Sequence, residues 1–433
     1  MRVFSVMMIF LMAIVAQADD DITGVWQTDG YGWVFDIQPE QITVYQMSSF
    51  SCMMIAQVDS FDYQPEQIHI EGVELPGAAS MLGRIDLDFM LMDGRLGFSS
   101  DSITPIYADR IDALPQSCLD GVGNSPLETF DVLWHMFNEN YAFFDVRGVD
   151  WQETYNTYRP QVTEENVSTI TMQMLDPLND DHVGIIGLGG VFNSAESPAW
   201  ALSRGRYNLS QLILSDYLMD EPQIVADYTL LYGHLTEDIG YLNILGMSYF
   251  GEDDITTLSE VMPVILDYFA DVETLVIDVR FNGGGYDTNA VYLAGYFADE
   301  RRLAFTKQGW NGSEFLPAQE IYVEPVGEAQ FTGEIYLLTS RLTVSAAEVF
   351  VMTMSTFPHV TTVGEATAGA LSDILPVFLP DWSVATLSNE LYLSADGMSY
   401  EGVGIPPTIP VTITLEDINN GIDAVLSEIL SMQ

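Results

Sequence analysis

Between residues 22 and 115 apolar positions alternate with polar ones, or run on for about five residues, and Gly, Pro and Asp break the runs. The stretches 25–26, 33–37, 41–45, 67–70 and 85–89 carry this pattern, which is that of strands with one buried face. They predict a small antiparallel β-domain, barrel or sandwich, ending near Cys118. The period then changes. Ser125-Pro126-Leu127-Glu128 has the form of a capping box with proline in the first turn. Behind it Phe130, Leu133, Trp134 and Phe137 fall on one helical face. More helix is expected between 151 and 175, ending at Pro177. From residue 241 the pattern turns α/β. Strands at 241–245, 274–279 (a near-continuous apolar run), 335–339 and 359–363 alternate with helices at 258–269, 289–297 and 345–356. Gly283-Gly284-Gly285 interrupts the chain just after the second of these strands.

The first eighteen residues stand apart. Arg2 precedes an apolar run to Val15, and Ala16-Gln17-Ala18 offers a small-x-small cleavage site, the layout of a secretory signal peptide. That run is shorter than the ~20 residues a membrane span needs, and no later segment is long and apolar enough. An exported chain, periplasmic or extracellular, is expected after cleavage near Ala18. In an oxidising compartment Cys52 and Cys118 invite a disulfide, with two buried thiols as the alternative. A bridge would stabilise by about 4 kcal/mol through loop closure.

Sixty-three acidic against 13 basic side chains give a net charge of -50. Such a polyanion is a poor partner for nucleic acid or for an anionic membrane surface. The cysteines and five histidines fit no zinc-ligand spacing, and there is no HExxH motif, so neither metal nor cofactor is expected. The length suggests two or three domains. Oligomeric state is not legible.

Candidate chemistry begins at Ser345, which follows a buried strand and a short turn and opens a helix. There it faces the positive end of the helix dipole and the free amides of the first turn. A helix-capping serine would occupy the same place. A nucleophile needs a base. His182 lies in the polar turn Asn179-Asp180-Asp181-His182, beside carboxylates able to fix its tautomer. Lys307, the single lysine, sits in a polar stretch where a solvated amine is the ordinary expectation. The glycine run can bring backbone amides close to a substrate, or be only a tight turn.

Six stretches in order then resemble one family. They are 178–184 (Leu-Asn-Asp-Asp-His-Val-Gly), 239–242, 276–285 (Val-Ile-Asp-Val-Arg-Phe-Asn-Gly-Gly-Gly), 343–348 (Thr-Val-Ser-Ala-Ala-Glu), 363–369 and 400–407. Together they resemble the tail-specific (carboxy-terminal processing) and tricorn-core serine peptidases. The helical stretch 130–151 is similar to the cap before the core in tricorn-like members. The resemblance implies an α/β crotonase-like core (181–433) behind a helical cap (119–180), preceded by the β-domain (19–118) and the signal segment (1–18).

It also implies roles. Ser345 would be the nucleophile, with an oxyanion hole from the amides of Ala346 and of Gly284 and Gly285, Gly285 foremost. One branch of the family takes a lysine about 25 residues after the serine as base. Ala370 stands there, so a dyad of that kind is excluded. The tricorn-like branch takes a histidine matching His182, with a glutamate matching Glu401. Asp181 departs from that branch, where a serine precedes the histidine, and is expected to support rather than orient the imidazole. Residues 184–239 carry no PDZ-like pattern. The implied activity is an exported serine endopeptidase acting on peptide or protein substrates through an acyl-enzyme. The alternative is a non-catalytic carrier of hydrophobic ligands on the same scaffold, similar to the retinoid-binding members.

Overall fold

Alternating burial along the first quarter of the chain builds one antiparallel sheet. A computed structural model describes residues 21–432, apart from positions 83, 101, 188, 189 and 203. The expected signal segment lies outside the described residues. The strands are β1 (Gly24–Thr28), β2 (Trp33–Gln38), β3 (Gln41–Met47), β4 (Cys52–Val58), β5 (Gln67–Glu74), β6 (Arg84–Met92), β7 (Arg95–Ser99) and β8 (Ile106–Ile111). They pair in the order β4-β3-β2-β1-β8-β7-β6-β5, a barrel-like sheet in which no ladder joins β4 to β5 among the described residues. Trp26, Phe35, Phe89 and Leu96 fill its inner face. The expected disulfide is present: Cys52 in β4 bonds Cys118 in a short helix after the sheet, Cα atoms 4.6 Å apart.

The segment after this sheet is helical, as the pattern predicts. Ser125 and Glu128 form the capping box of helix Pro126–Asn140, and Phe130, Leu133, Trp134 and Phe137 are all buried. The expected helix at 151–175 is two, Trp151–Tyr158 and Val167–Leu175, because Pro160 lies in a 3-10 turn that ends the first. A further short helix, Phe144–Arg147, closes with Gly148 in the left-handed region. It delivers Arg147 towards the site.

The second half carries three more sheets among the described residues. The strands are β9 (Gly184–Gly187), β10 (Gly190–Asn193), β11 (Gln223–Val225), β12 (Leu230–His234), β13 (Ile239–Ile244), β14 (Thr274–Asp278), β15 (Arg302–Gly309), β16 (Gln319–Val323), β17 (Glu334–Thr339), β18 (Val360–Gly364), β19 (Ile374–Phe378), β20 (Val384–Ser388), β21 (Glu390–Ser394) and β22 (Ile409–Pro410). The central sheet has the order β11-β12-β13-β14-β17-β18-β22, parallel from β13 to β22. Its middle strand β14 is buried at every position and reads as a near-continuous apolar run for that reason. Helix Asp254–Tyr268 starts four residues before the periodicity suggests: Asp253 caps it by accepting from the Thr256 amide, and Pro263 is taken up inside. Strands β10-β9-β20-β19 form a second sheet, β9 pairing with β20 and β20 with β19, and β16-β15-β21 form the third.

One expectation fails. Lys307 is not a solvated amine. It is 1% exposed, its Nζ 2.9 Å from Glu390 Oε2 and 3.3 Å from Asp373 Oδ2, and it donates to Ser102 Oγ. The local stretch is polar, but strand β15 turns this position inward between β16 and β21. Burial alone would depress the ammonium, and the facing carboxylates outweigh it and hold the amine charged.

Candidate active site

Ser345 is where the site begins. Strand β17 ends at Thr339, five residues turn, and helix Ala346–Met354 starts with Ser345 as its N-cap. The serine has φ +59° and ψ −130°, a conformation that costs on the order of 1–3 kcal/mol for a residue with a Cβ. The contacts that hold it there are visible. Its amide donates to Ala370 O (3.0 Å) and lies 3.2 Å from Glu348 Oε2. The fully buried Glu348 carboxylate also accepts from Thr367 Oγ1 (2.6 Å) and from the amides of Gly369 (2.7 Å) and Ala370 (2.8 Å). Burial pushes Glu348 up to about 7 against those hydrogen bonds. Glu348 thus ties the serine turn to the loop 367–372. Its own motif contains it, yet sequence reasoning gave it no role.

The glycine run lies against the serine. At Gly284, with φ +98°, a Cβ would stand 2.7 Å from Ser345 Cβ and 3.2 Å from the Ala346 nitrogen, so only glycine fits. The Gly284 amide is engaged by Asn282 Oδ1 at 2.9 Å. Gly285, with φ +146°, packs against the backbone of Met247.

His182 lies in a turn that follows Asn179, a left-handed residue with φ +43°. The His182 amide donates to Asp180 Oδ1 at 2.9 Å. The imidazole is 4% exposed, and neither ring nitrogen has a hydrogen-bond partner among the described residues. Burial lowers its pKa; Asp180, Asp373 and Asp181 pull the other way, and Arg147 adds to the depression. The ring is therefore held neutral, able to accept a proton.

Two arginines bring the histidine turn to the serine turn. Arg341, four residues before the serine, pairs with Asp181 at 3.0 Å. Arg147 from the cap donates to Asn179 O (2.8 Å), Gly369 O (3.4 Å) and Glu401 Oε1 (3.1 Å), and lies 3.3 Å from Asp180 Oδ2. Tyr141 donates to the same Asp180 oxygen at 2.9 Å. Glu401 is buried, and its other oxygen accepts the amides of Leu371 (2.9 Å) and Ser372 (3.2 Å). Burial and the charge of Asp180 push Glu401 up to about 8, against Arg147.

The structure thus gathers Ser345, Gly284, Ala346, Glu401 and the His182 turn around one loop. It hydrogen-bonds neither Glu401 nor Asp181 to the imidazole. Asp181 faces Arg341. Glu401 reaches the histidine turn through Arg147 and Asp180. Arg147 and Tyr141 are the residues that sequence reasoning missed, together with their contacts to Asp180, which it had named only as a carboxylate beside His182; the arginine gave a signal only as one of few cations in an acidic chain.

Residues 238–411 match the model of peptidase family S41, and residues 124–169 match that of the tricorn protease C1 domain. Both matches support the tail-specific and tricorn-core serine peptidase family for the stretches they cover. It is 25% identical over 198 residues to a carboxy-terminal-processing protease of Bartonella bacilliformis, covering 44% of this chain and 43% of that relative. The chain thus spans less than half the length of that curated relative. Among solved structures, a candidate peptidase of Parabacteroides merdae superposes with a TM-score of 0.62 at 27% identity, covering 72% of this chain and 97% of that one. Mature CPAF superposes at 0.54 with 14% identity, over 71% of this chain and 95% of its own, a likeness of fold.

Proposed function

We propose that this chain is an exported serine endopeptidase. Ser345 is the nucleophile and His182 the base, the oxyanion rests on the amides of Ala346 and Gly285, and an acyl-enzyme forms and is hydrolysed. The observation that carries this reading is the strained serine at the start of a buried helix, pressed against a glycine that admits no side chain, inside the region matching family S41. The Gly284 amide already has Asn282 as acceptor, so Gly284 serves the close approach and leaves donation to Gly285. A neutral, unpartnered imidazole suits the base, and pairing with Ser345 asks for a ring rotation or a small shift of the 179–183 turn when substrate enters. Glu401 is a positioning residue, acting through Arg147 and the 369–372 loop. The organisation proposed is a β-domain at 19–118, a helical cap at 119–180 and a crotonase-like core at 181–433. The Cys52–Cys118 bridge supports export, since such bonds persist in oxidising compartments. No helix among the described residues is long and apolar enough to cross a membrane.

The test is labelling with a fluorophosphonate that reacts only with an activated serine. Mass spectrometry should place the adduct on Ser345, and Ser345→Ala should take no label. An intact protein that neither labels at Ser345 nor cleaves any member of an unstructured-peptide library would sink the reading.

A further inference from the structure

The barrel-like sheet encloses a cavity of about 300 Å³ that the proposed peptidase chemistry does not use. Its wall is apolar, with Phe35, Val44, Ile55, Leu87 and Phe98 reaching in from five different strands. The segment 373–390 closes one end. It mixes apolar side chains with a polar group at its two chain ends, in which three residues matter: Asp373, Asn389 and Glu390. The other feature is a seam. Ala56 of β4 and Val73 of β5 both line the cavity, and these are the two strands that no ladder joins. The seam gives a ligand a way in without breaking a sheet hydrogen bond.

The size is informative. An apolar cavity of about 150 Å³ takes a benzene ring, so twice that volume takes roughly a dozen heavy atoms. Cavities of this size with a few fixed polar groups are the usual form of small-molecule sites. The polar end then selects the head of the ligand. Asn389 is 1% exposed, and its Nδ2 donor has no partner among the described residues. A buried amide donor left unpaired costs about 1–3 kcal/mol, a cost that an acceptor on a ligand would remove. The same end disfavours an anion. The Lys307 ammonium is already shared between Glu390 and Asp373, and Tyr31 donates its hydroxyl to Glu390. A carboxylate entering here would meet two others and find no free cation in this cluster.

We propose that the barrel cavity binds one neutral, chain-like apolar molecule of about a dozen heavy atoms with a hydrogen-bond acceptor at one end, an alkyl amide or ester, its acceptor on Asn389 Nδ2. This is a second site on the enzyme, apart from the substrate. Its polar end begins at Asp373, three residues beyond Ala370, whose carbonyl holds the Ser345 amide.

Titration calorimetry on the intact, disulfide-bonded protein tests it, with n-decanamide as probe and n-decanoate as control. Decanamide should bind saturably at one site per chain, and decanoate at least about tenfold more weakly. Asn389→Ala should weaken decanamide by about tenfold, the value of one neutral hydrogen bond. Ala56→Trp should fill the cavity and abolish binding, with near-ultraviolet circular dichroism confirming a folded variant. Should that variant not fold, the Asn389→Ala arm decides alone. Three results would overturn the proposal: no saturable binding of decanamide, decanoate binding as tightly as decanamide, or unchanged decanamide affinity in folded Asn389→Ala or Ala56→Trp.

Discussion

The imidazole of His182 and the carboxylates of Glu348 and Glu401 are all buried, and burial drives each towards its neutral form. For His182 that means a pKa below the ordinary 6.5, so the basic form dominates at neutral pH. Acylation of Ser345 should therefore rise with pH through a value below 6.5 and then stay level, and His182→Ala should abolish it nearly as fully as Ser345→Ala. A fluorophosphonate labelling rate measured against pH checks both; a midpoint well above 6.5 would remove His182 as base. Glu401 has the opposite sign. Its folded pKa of about 8 lies above the unfolded value near 4.5, so the folded state binds the extra proton. The stability this confers is complete at acid pH and is lost as pH rises towards 8. Above about pH 7 the imidazole is mostly neutral in both folded and unfolded states, so the buried carboxylates with raised values, Glu401, Glu348 and Asp287, govern the slope. In that window the parent's urea midpoint should fall with pH, and Glu401→Gln should fall less. Glu401→Gln should also lower turnover on the order of 10²-fold or more, since an amide NH2 replaces one of the two oxygens that accept from Arg147 and from the Leu371 and Ser372 amides. Asp181→Asn should cost much less, because its partner Arg341 is partly open to solvent. Equal losses in folded variants would move the positioning role to Asp181.

At the scale of the element, the loop 367–372 is what the site hangs on, and it is fixed from three sides: Glu348 from the serine helix, Glu401 from the last turn, Arg147 from the cap. Arg147→Ala would leave Asp180 and Glu401 buried and facing each other. That loss should destabilise by about 3–5 kcal/mol, read as a shift in the urea midpoint, and should slow turnover in whatever fraction remains folded. A change under about 1 kcal/mol would mean that the cap does not clamp the site. None of this was legible from pattern. The parallel strands were, because a strand buried on both faces leaves a continuous apolar run, as in 274–278. The turn that carries Ser345 was too, because strand, short turn and helix leave a local trace. The ion pair of Asp180 with Arg147 left none: the two lie 33 positions apart, and nothing local distinguishes a clamp from a surface charge. Helix 254–268 began earlier than its apolar period because its first turn is written by the cap residue Asp253. Lys307 misled for a related reason. Polar neighbours suggested solvent, whereas inward or outward facing on β15 is set by the strands paired on either side of it.

For the whole molecule, two kinds of electrostatics coexist and should separate experimentally. The surface is crowded with like charge, 63 acids against 13 bases, and self-repulsion in a compact body opposes folding. Salt screens it: the Debye length shrinks from about 30 Å at 0.01 M to about 3 Å at 1 M. The buried charges are a different matter. Lys307 joins the N-terminal sheet, through Ser102, to β21 and the 373 segment, through Glu390 and Asp373. Arg280 is held between Asp278 and Asp423 with no exposure at all. Salt screens the Lys307–Glu390 and Arg280 pairs far less than surface charges, because both partners are buried, whereas Asp373 is half open to solvent. Lys307→Met should therefore cost about 3–5 kcal/mol, because it strands the Glu390 carboxylate without its cation. The urea midpoint of the parent should climb as sodium chloride is raised, while the gap between parent and Lys307→Met stays constant. A parent midpoint indifferent to salt would mean that the acidic surface does not strain the fold. A gap that closes at high salt would mean that Lys307 is reached by solvent and that the joint between the two halves is looser than its distances imply.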